Sequence, residues 1–133
     1  MKNLLENVSP WTDLIGRILI ALIFIISGFG KIGGYEATQG YMTSMGVPGA
    51  LLPLVIVTEL GGGLLIVLGL FTREAAIALA AFTLLSGILF HGNSADMTQQ
   101  IMFMKNLAIA GGFLFLVANG AGKISLDRRF GRS

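Results

Sequence analysis

The sequence predicts an all-α integral membrane protein: one transmembrane domain over residues 1–133, folded as a four-helix bundle with both termini cytoplasmic. Three observations carry this reading. The 133 residues hold 54% apolar and 12% charged side chains, at a mean hydropathy of +0.81, whereas a soluble domain is about 25% charged. The apolar residues gather into four runs, each near the ~20 residues that cross ~30 Å of hydrocarbon. The runs are also continuous, without the two-residue alternation of barrel strands. Nine basic and seven acidic side chains are too few to coat a soluble surface, which argues against a soluble enzyme and against a disordered or nucleic-acid-binding chain.

The first expected helix spans residues 14–32. Glu6 and Asp13 precede it and no small-residue cleavage site ends it, so it is read as a retained helix rather than a signal peptide. Residues 35–49 follow, with Thr38, Tyr41, Met42 and Met45 at i, i+3, i+4 and i+7 and with Gly46 and Pro48 as a stop signal. They predict a short amphipathic helix lying on the outer membrane face in the first external loop. The second and third membrane helices are expected over residues 50–71 and 74–91. The loop over residues 92–100 is polar, and Asp96 followed by Gln99 resembles a capping box that opens the fourth helix, over 101–121.

Four crossings put both termini and the loop between the second and third helices on one side. That side holds Lys2, Arg17, Arg73, Lys123, Arg128, Arg129 and Arg132, and the other holds Lys31 and Lys105. The bias places the termini in the cytoplasm. The basic tail Arg128–Arg132 is read as meeting anionic membrane lipid rather than nucleic acid.

Ionisable groups inside the apolar runs carry the functional signal, because each costs at least ~2.5–3.5 kcal/mol at the bilayer centre and needs a partner or water. Glu59 sits near the middle of the second helix and shares a face with Val55, Ile56, Gly62 and Gly63, so it is expected to point into the bundle. Arg17, Ala21, Phe24, Gly28 and Lys31 form one stripe of the first helix, and Arg73, Ala76, Ala80, Gly87 and His91 one stripe of the third. On the fourth helix Lys105 shares a face with Ala108 and Gly112, with Asn106 beside it. The expected site is Glu59 paired with Lys105, near His91, Lys31 and Asn106, a network of net positive charge. Arg17 and Arg73 are read as inner-rim charges that reach the headgroups and set topology. With no cysteine and one histidine, no metal, haem or flavin is expected in the chain. Met97, Met102 and Met104 near His91 are read as ordinary membrane-helix residues rather than copper ligands.

At these residues the sequence resembles the DoxX family of small four-helix bacterial membrane proteins. The likeness runs from Arg17 to Arg128. It rests on R-I-L-I-A-L-I-F-I-I-S-G-F-G-K from Arg17 to Lys31 and on G-V-P from Gly46 to Pro48. It continues in T-E-L-G-G-G-L-L-I-V-L-G-L-F-T-R from Thr58 to Arg73, K-N-L-A-I-A-G-G from Lys105 to Gly112, and S-L-D from Ser125 to Asp127. The resemblance implies an inner-membrane protein linked to redox chemistry. The family's name is tied to a subunit of an archaeal thiosulfate:quinone oxidoreductase, and other members look like membrane parts of oxidative-stress complexes. It carries over no catalytic residues.

These readings point first to a membrane subunit of a redox system that binds quinone or quinol in the bundle. Glu59 would handle the proton, and Lys105, His91 or Lys31 would bond the quinone carbonyls or draw in an anionic sulfur donor. Electrons would come from an external donor or a partner. The alternative is a non-catalytic scaffold that docks a soluble redox or stress enzyme or forms a homo-oligomer. A third reading, transport of a small anion or lipid, rests on the positive network.

Overall fold

A computed structural model describes residues 1–92 and 95–132. Asn93 and Ser94, in the polar loop expected over 92–100, lie outside the described residues. The elements are α1 (Lys2–Gly33), α2 (Tyr35–Ser44), a 3-10 turn (Gly49–Leu51), α3 (Leu52–Leu68), α4 (Thr72–His91), α5 (Met97–Asn119) and α6 (Leu126–Arg129), with no strand among the described residues. Four of these helices, α1, α3 with its leading turn, α4 and α5, are long and apolar enough to span a membrane.

The helix α1 starts well before the apolar run that predicted it. Its 32 residues extend about 48 Å at 1.5 Å per residue, more than the ~30 Å of hydrocarbon. Glu6 and Asp13 end the apolar run without ending the helix, because backbone hydrogen bonding tolerates charge once the helix leaves the lipid core. The short α2 lies where the amphipathic pattern of the first loop predicts it, and Gly46 (φ +79°) follows as the stop.

At its other end α3 stops earlier than the apolar run, which continues to Phe71. Gly69 takes a left-handed conformation (φ +68°), its N–H bonds Ile66 O at 3.2 Å, and the Leu70 N–H bonds Leu65 O at 3.0 Å. This is the Schellman arrangement, invisible to a hydropathy count. Polar positions lengthen α5 in the opposite direction. It begins at Met97, capped by the Asp96 side chain, which accepts from the Thr98 N–H at 3.3 Å.

Small residues set how closely the helices approach. A Cβ on Gly28 would lie 2.6 Å from Leu60 Cγ, and one on Gly63 would lie 2.8 Å from Ile25 Cγ1, so α1 and α3 meet nearly backbone to backbone. The core is formed by Ala21, Phe24, Ile66, Ala75, Ala76, Leu79, Ala80 and Phe113. The rings of Phe24 and Phe113 meet at 5.5 Å and join α1 to α5 across it. Most of these residues lie in the half of the bundle nearer the termini. The opposite half is hollow.

Two charged residues fasten the packed half. Arg17 is 1% exposed and does not reach the headgroups as the sequence suggests. Its guanidinium donates to Ile66 O and Val67 O, each at 3.2 Å, and to Ile124 O. Val67 O at the end of α3, and Ile66 O, which also accepts from the Gly69 N–H, are acceptors inside the protein, which is why the arginine turns inward. Asp127 accepts from the Phe71 and Thr72 N–H groups at 2.8 and 2.9 Å and so caps α4 from α6.

Candidate functional site

A cavity of about 550 Å³ opens in the hollow half, between α1, α3, α4 and α5 and beneath α2. Its walls are mainly apolar, from Phe24, Leu54, Val55, Phe82, Leu85 and Ile109. Its polar groups come from five helices. Glu59, 4% exposed, projects from α3, and Lys31 Nζ, near the end of α1, lies 2.7 Å from Glu59 Oε1. Lys31 also donates to Ser27 Oγ at 2.5 Å. The lysine is thus held from its own helix as well as from α3, since the helical spacing aligns Ser27 with Lys31.

His91, at the end of α4, meets Gln99 Oε1 through Nδ1. With a carbonyl oxygen as partner, Nδ1 carries the hydrogen, which leaves Nε2 as the ring nitrogen without that bond. Asn106 donates to Thr83 O at 3.1 Å and to Ser86 Oγ at 3.5 Å. Gly87 makes room for it: a Cβ there would lie 3.0 Å from Asn106 Nδ2. The stacked rings of Tyr41 and Phe90, with centroids 5.4 Å apart, tie α2 to α4 over the cavity.

Of the five ligand-binding candidates from the sequence, Glu59, Lys31, His91 and Asn106 line this cavity and Lys105 does not. Glu59 pairs with Lys31, and Lys105 Nζ lies 3.6 Å from Met102 Sδ. The inward stripe of α5 runs through Asn106, Ala110 and Phe113, one residue from the Lys105–Ala108–Gly112 face read from the sequence. Adjacent residues differ by about 100° around a helix, so the face that admits Asn106 turns Lys105 away. Without Lys105 the cavity holds one lysine, paired with one glutamate, beside His91, so the second ammonium of the expected network is missing from it.

Thr83 is a site residue that the sequence reading did not single out. It is 3% exposed, and its Oγ1 has no hydrogen-bond partner among the described residues, although a helical threonine ordinarily bonds the carbonyl a turn back. Its signal was available: Thr83 stands one helical turn before Gly87 and two before His91, on the same stripe. The other two rim charges lie away from this cavity. Arg17 is in the packed core, and Arg73 lines a second opening beside the termini. Met97 and Met104 are exposed.

The sequence pattern of the DoxX family matches residues 12–92, from α1 through the end of α4. The chain belongs to the DoxX family. Glu59, Lys31, Thr83 and His91 all fall inside the DoxX match. The chain is 55% identical over 115 residues to the inner membrane protein YqjF of Escherichia coli, covering 86% of this chain and 88% of that one. It is 45% identical over 128 residues to the inner membrane protein YphA of the same organism, covering 90% and 91%. The chain is 30% identical over 105 residues to CatD of Bacillus subtilis, whose name proposes it as an oxidoreductase, covering 74% of this chain and 78% of that one. No solved structure matches the chain. With its four spanning helices, this DoxX protein is a multi-pass protein of the inner membrane.

Proposed function

We propose that the cavity binds a membrane quinone or quinol and that the chain is the membrane subunit of a redox system. One observation carries this: an ion pair, Lys31–Glu59, is set in the wall of an otherwise apolar cavity of about 550 Å³. Pockets of roughly 300–1,000 Å³ with apolar walls and a few convergent polar groups are typical small-molecule sites. A quinone ring, apolar on its faces and polar at two oxygens, matches that distribution. When bound, it supplies the two-electron, two-proton chemistry that the side chains lack. The Lys31 ammonium and the Thr83 hydroxyl are donors for a carbonyl oxygen. Glu59 and His91 Nε2 are acceptors for a hydroxyl proton. Electrons then pass to or from a donor or a soluble partner.

By the positive-inside bias the termini lie in the cytoplasm, and the α2 end, with the cavity, faces outward. The one lysine of the cavity is paired with Glu59, which gives little support to anion transport.

The test is titration of the purified chain with menaquinol and ubiquinol, together with extraction of any quinone that co-purifies. Wild type is expected to bind quinol, and Glu59→Gln to weaken binding about tenfold or more, the worth of a hydrogen bond to a charged group. If no quinone co-purifies and Glu59→Gln alters only the melting temperature, the scaffold reading replaces this one.

A further inference from the structure

A second cavity, of about 750 Å³, opens at the end of the bundle that holds the termini, between the first turns of α1 and the segment that follows α5. It lies apart from the quinone cavity, and the reading above does not use it. Four basic side chains line it: Arg73, Lys123, Arg128 and Arg132. Of these, Arg132 is satisfied within the protein, 3.2 Å from Asp127 Oδ1 and 2.8 Å from Glu74 Oε1. Arg73 is not. It makes no hydrogen bond or ion pair among the described residues, and its Nε is buried without a partner.

The seat of Arg73 is shaped. Gly120, with φ +75°, leaves the space its guanidinium occupies, since a Cβ there would lie 3.2 Å from Nη2 and 3.3 Å from Nε. The nearby carboxylates do not satisfy it. Asp127 is occupied by two backbone N–H groups and Arg132, and Asp13 packs over Gly122. Glu6 is exposed. A planar five-donor cation left without an acceptor in a lined cavity calls for an oxyanion, which an arginine binds in bidentate fashion.

We propose that this cavity binds a phosphate oxyanion, with Arg73 as the main donor and Lys123 and Arg128 as flanking cations. The oxyanion belongs either to a phospholipid headgroup or to free phosphate. The flank of α1 beside the cavity exposes Leu4, Val8 and Trp11, and an exposed tryptophan next to apolar residues marks the headgroup level of a membrane. That puts lipid headgroups within reach of the cavity mouth.

The probe is the melting temperature of the whole chain in uncharged detergent, titrated with phosphatidylglycerol, with diacylglycerol of the same acyl chains, and with inorganic phosphate. Phosphatidylglycerol is expected to raise the melting temperature and diacylglycerol to leave it unchanged. Arg73→Gln is expected to raise the concentration for half-effect about tenfold or more. Displacement of the lipid effect by inorganic phosphate assigns the site to free phosphate, and its persistence assigns the site to headgroups. An equal rise with diacylglycerol overturns the proposal. So does an unchanged half-effect concentration in Arg73→Gln. If Arg73→Gln does not fold, the double variant Lys123→Gln/Arg128→Gln decides, because both residues are exposed: a weakened response supports the site and an unchanged one overturns it.

Discussion

Lys31 and Glu59 separate two kinds of consequence at the residue scale. Lys31→Met leaves a buried carboxylate uncompensated, which costs ~3–5 kcal/mol where both partners are fully buried. The Lys31 side chain is 27% exposed, so the expected loss is smaller, about 2 kcal/mol. The double variant Lys31→Met/Glu59→Gln removes both charges and is expected to regain most of that stability, read as the melting temperature, while quinol binding stays weakened. Stability lost in both variants alike would show that the pair does not act as one unit. This site was only partly legible in the sequence. Glu59 and Lys31 stood out because charges inside an apolar run need a partner. The choice of Lys31 over Lys105 depended on the rotation of α5, where alanine and glycine are too evenly spread to mark one face. Thr83 stayed hidden because a threonine in a membrane helix looks satisfied by its own backbone.

Asp127 makes a second residue-scale prediction. Burial pushes its carboxyl up, but the hydrogen bonds from Thr72 and Phe71 and the charge of Arg132 outweigh that and hold it below the usual carboxylate range. The ionised form therefore carries the stabilisation. It is fully present above the ordinary carboxyl pKa of about 4 and is lost as the pH falls through the lower folded-state value. The melting temperature of wild type is expected to drop below about pH 4, with a shallower drop in Asp127→Asn. Phe71 ties the same contact to backbone geometry, because it is the one non-glycine residue with positive φ (48°) among the described residues. That conformation costs about 1 kcal/mol or more, and the Asp127 bond together with Arg132, 4.1 Å above the Phe71 ring, holds it in place.

At the element scale, the end of α3 and the placement of α2 differ in what secured them. The left-handed turn at Gly69 meets two demands at once, since a Cβ there would also strike Arg17 Nη1 and Ser125 Cβ. Gly69→Ala is expected to destabilise the protein by about 2 kcal/mol or more, beyond the ~1 kcal/mol of the backbone conformation alone. A thermal melt in detergent checks this. The existence of α2 was readable from its i, i+3, i+4, i+7 pattern. Its role was less so, because the same apolar face that suits a membrane surface also suits the roof of a cavity. Met42 is 4% exposed, against protein rather than lipid. Tyr41→Ala removes the stack on Phe90 and is expected to speed quinol release while leaving the fold intact. Stopped-flow dissociation reads this directly.

At the scale of the whole molecule, hydropathy showed four crossings plainly, and the count survives every shift in helix boundary. It could not show that one half of the bundle is packed and the other hollow. That division follows side-chain size on one side, where alanines at 75, 76 and 80 close the core, whereas the Lys31–Glu59 pair lies in the wall of the cavity on the other. The orientation has a direct test, because the chain has no cysteine of its own. Single cysteines introduced at Ser44 and at Arg129 are expected to react with an impermeant maleimide oppositely in intact cells, Ser44→Cys at once and Arg129→Cys only after lysis. The reverse pattern would invert the assigned topology.

The Arg17 clamp also has a consequence in time. Its acceptor at Ile124 lies 107 residues further along the chain, roughly 5–20 s later at ribosomal rates of about 5–20 residues per second. Ile66 and Val67, its other two acceptors, lie 49 and 50 residues along and are made about halfway through that interval. The clamp is therefore completed only once the segment after α5 has been made. The order of synthesis thus sets when this bundle can close.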